Sequence, residues 1–227
     1  MTDQATAVEP IRDAVFDQKK PSVEVFGALI NLSGRRRFTS QRVVLYAVLA
    51  SMGHHGAVAT SRDTLTQFRE AHTTLIEGKG PLPGVFCAQL HEAYFGAMQA
   101  DRVIRDFIAL ADATLDAIVD NARGAPALLD ELVRSATPLL SVLNGVTLVY
   151  EEQAMRHAQA RRRQLNGMLA EIRSASRRSR KLALHAQIVA ARAGEAGREF
   201  SVAACSMTGV TAEIDDMVLA ALDSALA

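Results

Sequence analysis

Two stretches near the C-terminal end carry residues at strict 3-4 spacing, and they constrain the fold more than any other feature. The first is Leu165, Met168, Ile172, Ala175, Ser179, Leu182, Ala186, Val189 and Ala193. The second is Phe200, Ala203, Met207, Val210, Ile214, Met217 and Ala221. On an α-helix such a series forms one continuous stripe, which has to be buried against another helix. A short Gly-containing turn at Gly194 separates the two, so they are expected to fold back as an antiparallel coiled-coil hairpin, stripe against stripe. Small residues dominate both stripes, so each layer buries little. Dimerisation into a four-helix bundle is the expected remedy.

The rest of the chain also reads as helical. Ala, Leu and Arg abound, there is no Trp and only three Tyr, and no strand-like alternation persists. Ser22 after Pro21 is a candidate N-cap for a first helix carrying Val23, Phe26, Ile30, Leu45, Val48 and Leu49, ending at Gly53. Ser61 is expected to cap a second helix through Leu65, Phe68, Leu75 and Ile76, stopped at Gly78–Gly84. A third helical region covers about 85–121, broken near Gly96 with Asp101 as a new cap. A fourth starts near Ala127, and Pro138 should kink or restart it. A last helix runs from about Arg198 to Leu226. The fold class is all-α. The expected division is a flexible N-terminus over 1–20, a four-helix sensor domain over 21–160 and a hairpin over 161–227.

The turn carries a resemblance of its own. The run Arg180-Lys-Leu-Ala-Leu-His185-Ala-Gln-Ile-Val189-Ala-Ala-Arg192-Ala-Gly194-Glu195-Ala-Gly197-Arg198-Glu199-Phe200 resembles the cytoplasmic signalling tip of bacterial methyl-accepting chemotaxis proteins. The resemblance implies a helical hairpin that touches downstream proteins. It places the partner contacts at Arg177, Arg178, Lys181, His185, Arg192 and Glu195. The chain departs from the tip pattern at Lys181, His185, Val189 and Glu199, and Cys205-Ser206 stands where an acidic pair is common. Those are contact positions, so ordinary kinase coupling is not implied. The pair Glu151-Glu152 lacks the small neighbours of a methylation site.

A second resemblance lies in the first helix. Ile30-Asn-Leu-Ser-Gly34-Arg-Arg-Arg37-Phe-Thr-Ser40 is similar to the signature of the type IV pilus chemotaxis transducer N-terminal (PilJ-type) domain, shared with nitrate-responsive sensors. It covers about residues 20–160. Ile30, Gly34, Arg37 and Gln41 share one helical face. If a second copy packed against Gly34, two Arg37 side chains would converge and repel unless an anion lay between them. The resemblance implies a nitrate- or nitrite-sized anion, with Arg37, Gly34, Ser33 and Asn31 as the ligand-binding set. The alternative is that these arginines only solvate a helix.

Charge distribution adds a third feature. The whole chain balances at 25 basic and 25 acidic residues, yet the segment 156–192 holds nine Arg and one Lys against a single acid, Glu171. Glu213, Asp215 and Asp216 on the returning helix are too few to neutralise it. Such a field suits nucleic acid or an acidic protein, although no recognition motif or interleaved aromatic accompanies it.

No Gly-rich phosphate loop, catalytic triad, paired carboxylates or metal spacing is visible, so no catalytic residue, metal or cofactor is assigned. Cys87 and Cys205 are too far apart in sequence to suggest a disulfide framework. No secretory signal and no uninterrupted apolar run of membrane-spanning length is present. The expectation is a cytoplasmic, homodimeric sensor and signal-transduction protein with a small anion and a protein as partners. A nucleic-acid-associated regulator or a chemotaxis adaptor-binding module is the alternative.

Overall fold

The computed structural model describes residues 21–226, with side chains described as far as Asp223. The expectation for residues 1–20 lies outside the described residues. The described chain is all-α, with helices α1 (Val23–Ser51), α2 (Ala57–Glu77), α3 (Ala88–Phe95), α4 (Ala100–Val119), α5 (Ala125–Arg192) and α6 (Arg198–Leu226). A two-residue antiparallel ribbon, β1 (Gly78–Lys79) with β2 (Leu82–Pro83), links α2 to α3. The chain divides into two compact units, 1–155 and 156–227.

In the first unit, α1 buries Phe26, Leu29, Ser33, Arg36, Ser40, Val43, Ala47 and Ala50. Those positions alternate by three and four, so they form one stripe. Val23 and Leu45, expected inside, are exposed. One core cluster joins Val43 and Ala47 of α1, Leu65 and Phe68 of α2, Ile104 and Leu115 of α4, and Leu132, Leu139 and Leu143 of α5. A second joins Leu29, Leu75, Leu90, Tyr94, Val146 and Tyr150, and brings in α3. Outside this core, Arg62–Asp116 and Arg69–Asp112 pair across α2 and α4.

Several boundaries differ from expectation for local reasons. Ser22 does cap α1, its side chain accepting from the Val25 N–H. α2 starts earlier than Ser61, after Gly56 in the left-handed region. Ser61 is buried instead and donates to the Val43 carbonyl at 3.0 Å. The break near Gly96 occurs, but Gln99, not Asp101, precedes α4. Pro138 does not interrupt α5. It lies on the exposed side, where the Arg134 carbonyl it leaves unbonded can meet water. By length and composition alone, α5 holds a window apolar enough to cross a membrane. Its apolar residues are interrupted rather than consecutive, so counting uninterrupted runs misses it.

The second unit is a helical hairpin whose inner seam differs from the expected one. Ser176, Ala183 and Ala190 of α5 and Ala204, Thr211 and Val218 of α6 are buried, each set at spacing seven. Ser176 Oγ donates to the Thr211 carbonyl at 3.0 Å, Gln187 donates to Thr208 Oγ1 at 3.2 Å, and Arg180 pairs with Asp215 at 2.8 Å. The expected stripe points away. Leu182 is 64 % exposed and Val189 60 %, with Met168, Ile172, Phe200, Met207, Val210 and Met217 also exposed. Small and hydroxyl residues let the two backbones approach closely, and the larger side chains of the expected stripe are displaced to one flank, while Leu184, Ile188 and Leu219 are exposed on the other side of the seam. Positions with equal offset from the seam fall on the same side of an antiparallel pair, so the two stripes form one apolar face.

At the tip, Gly194 has φ +63 and follows α5 at the position where a left-handed residue ends a helix. A short 3-10 turn, Gly194–Gly197, leads into α6. Gly197 is buried, and a Cβ there would collide with the backbone carbonyl of Ala190. Gly197→Ala is therefore expected to force the arms apart at the tip, at a cost of about 1–3 kcal/mol. Hydrogen exchange should then show lost protection at amides between Ala190 and Ala204. Unchanged protection would contradict this account.

Candidate functional site

Arg36 is the largest fully buried side chain of the first unit and 0 % exposed. Its guanidinium donates to Ser33 Oγ at 3.1 Å, to Tyr94 OH at 3.2 Å and to His72 Nδ1 at 3.1 Å, while its Nε has no partner. Ser33 Oγ also lies 2.9 Å from Thr147 Oγ1, and Tyr94 OH 3.4 Å from Tyr150 OH. His72 Nε2 lies 2.9 Å from Asp101, which Arg105 also pairs. All five helices that build the first unit contribute to this network.

The donors fix the histidine's state. Arg36 can only donate, so His72 Nδ1 accepts, and Nε2–H donates to Asp101. The ring is thus neutral with its proton on Nε2. Burial, and then the Arg36 charge, hold the His72 pKa down to about 4 from 6.5, against the upward pull of Asp101. Burial likewise pushes the Tyr150 phenol up. Among the described residues, Arg36 pairs with no carboxylate, and it meets Asp101 through the His72 imidazole.

Arg37 lies elsewhere. It is exposed, and its NH1 donates to Asn144 Oδ1 at 3.2 Å. Asn31, Gly34 and Arg37, with Arg35 and Phe38, line an open hollow of about 480 Å³. Ser33 is not among its walls. The hydroxyl expected to bind ligand is committed inside to Thr147 and Arg36, because Ser33 lies on the buried stripe of α1. Gln41, on the Arg37 face, donates to the Ala136 carbonyl of α5 at 3.4 Å. Among the described residues, no carboxylate pairs with Arg35 or Arg37 within 4 Å.

On the hairpin, Arg177, Arg178 and Lys181 come together with Arg173 around a hollow of about 500 Å³. His185, Arg192 and Glu195 are exposed but do not line it. Sequence reasoning marks Asp101 only as a helix cap and assigns no site role to Arg36, His72, Tyr94 or Thr147. A signal existed for Arg36, which falls on the three-four stripe from Phe26 to Ala50 that Arg37 misses.

Comparisons with protein-family models, with curated proteins and with solved structures each find no match to this chain.

Proposed function

We propose that the chain is a cytoplasmic sensor and signal-transduction protein without catalytic activity, binding a small oxyanion of the nitrate or nitrite type at the Arg37 hollow. The observation that carries this reading is the Arg37 guanidinium. It is held at the rim of an open hollow by a neutral amide, with Arg35 and Asn31 beside it and no paired acid. Guanidinium donors left without a carboxylate suit a planar oxyanion, which accepts from two of them at once. The buried Arg36 next to it has a different task, pinning the helices on which the hollow stands.

The proposal has the protein acting as a homodimer. The exposed apolar face of the hairpin supports this, since a second copy can bury Leu182, Val189, Phe200 and Met217 against the same residues of its own. α5 supplies core residues to the first unit and the incoming arm of the hairpin, so ligand-dependent repacking around Asn144 would act on the helix that meets a protein partner. A ligand can drive such a change only if it binds the two packings with different affinity.

Calorimetry with nitrate, nitrite and chloride on the wild type and on Arg37→Ala tests the site. Expected is binding of one of the oxyanions that Arg37→Ala abolishes while helix content stays unchanged. No heat from any of the anions with the wild type, or binding that survives the substitution, would overturn the reading.

A further inference from the structure

Four of the nine described residues that line the hollow on the hairpin are cations, Arg173, Arg177, Arg178 and Lys181, set among Asn166, Leu169, Ala170, Ser174 and Leu222. Arg173, Arg177 and Lys181 follow one another at four-residue steps on α5, and Arg178 flanks them, its NH1 3.4 Å from Ser174 Oγ. Four residues of helix rise about 6 Å, so the three charges form a ladder with a regular step along the surface. Among the described residues, no carboxylate lines the hollow. Arg180, one turn away from Lys181's neighbours, is neutralised by Asp215, whereas no acid lies within 4 Å of Arg173, Arg177, Arg178 or Lys181 among the described residues. Four cations held this close repel one another, and only an anion of several charges relieves all of them together.

The placement of the ladder narrows the partner. Arg177 is nine residues from Met168, and Lys181 nine from Ile172, which at about 100° per residue puts each roughly opposite its apolar counterpart. A second copy covering the apolar face would leave the ladder open. A lipid surface meeting that face would find these cations directed away from its headgroups. An extended polyanion running along α5 fits instead. We infer that the Arg173–Arg177–Arg178–Lys181 hollow binds the phosphodiester backbone of nucleic acid. Arginine forks take phosphate oxygens two at a time, and among the described residues no aromatic side chain lines the hollow on which a base could stack. Recognition is therefore of the backbone and independent of sequence, and it stands apart from the anion reading for Arg37, which lies in the other unit.

The test is fluorescence anisotropy of a labelled 20-nucleotide single strand and of the matching duplex, titrated with the full chain between 50 and 200 mM salt. Whichever of the two binds more tightly identifies the preferred form of backbone. Expected is micromolar or tighter binding at low salt that Arg177→Glu with Lys181→Glu weakens at least tenfold. The neutral pair Arg177→Gln with Lys181→Gln should weaken binding less, and should reduce the salt slope by roughly 0.7–0.9 for each lost phosphate contact. Arg102→Glu with Arg123→Glu matches the charge change on exposed sites of the other unit and should leave binding unaltered. Circular dichroism checks that each variant keeps its helices. No binding by the wild type at 50 mM salt, or equal weakening by the matched control, would overturn the inference. So would equal or tighter binding of poly-glutamate, which points to an acidic protein, or of anionic phospholipid vesicles.

Discussion

Arg36→Ala is expected to lower the unfolding free energy of the first unit by about 3–5 kcal/mol, read from the denaturant midpoint at pH 7.5. Two losses combine. Truncation leaves a void where the largest fully buried side chain stood, and it strips the donor from His72 Nδ1, with part of the hydrogen bonding of Ser33 and Tyr94. Ser33 retains Thr147 and Tyr94 retains Tyr150, so the network is opened at its centre rather than erased. Arg36→Met separates the two losses. It refills most of the volume and removes a buried charge whose Nε is already unpartnered, so its cost should be distinctly smaller, about 1–3 kcal/mol. A loss below about 1 kcal/mol for the alanine variant would show that the network does not hold the helices together.

Acid is expected to unfold the same unit through His72. In the unfolded chain the imidazole takes up its proton near pH 6.5, but in the folded state only near pH 4. Between those values the unfolded state holds more protons, so stability is complete above pH 6.5 and falls as pH drops toward 4. Below about 4 both states are protonated and this group contributes no further loss. The window corresponds to about 3 kcal/mol, the same order as opening the network by mutation. The cause is geometric as well as dielectric. A proton on Nδ1 would confront the Arg36 guanidinium that now donates to it. Denaturation midpoints measured from pH 7.5 to 4 on wild type and His72→Gln give the check. The steep fall should be confined to the wild type, and an equal slope in both proteins would contradict it.

How far the site was legible follows from where each signal lay. The basic segment was visible as composition, because charge density survives any register. That three of its members converge with Arg173 was not, since the hollow depends on which flank of the helix the seam leaves free. The run Arg35-Arg36-Arg37 shows the same limit. All three are alike in sequence, yet a 100° step per residue sends Arg36 into the core and leaves Arg35 and Arg37 outside. Reading the stripe Phe26, Leu29, Ser33, Arg36, Ser40, Val43 as a core pattern would have required accepting a charge in it. That is tolerable only because His72, Tyr94 and Ser33 arrive from three directions to meet it. Those partners are 36, 58 and 3 residues away, and no local spacing announces the distant two.

Helix content and the hairpin turn were determined by the sequence alone, because periodicity, glycine placement and helix propensity act over a few turns. The seam of the hairpin was decided only by the fold. Both heptad stripes are real, but the close approach of two backbones favours the small residues one position over. Ser176, Ala183, Ala190 and Gly197 therefore lie inside, and the larger residues of the stripes remain on an open flank. Tertiary packing likewise decided the fate of three adjacent arginines. A buried guanidinium is held only where several acceptors converge on it, and that convergence is a property of five helices together.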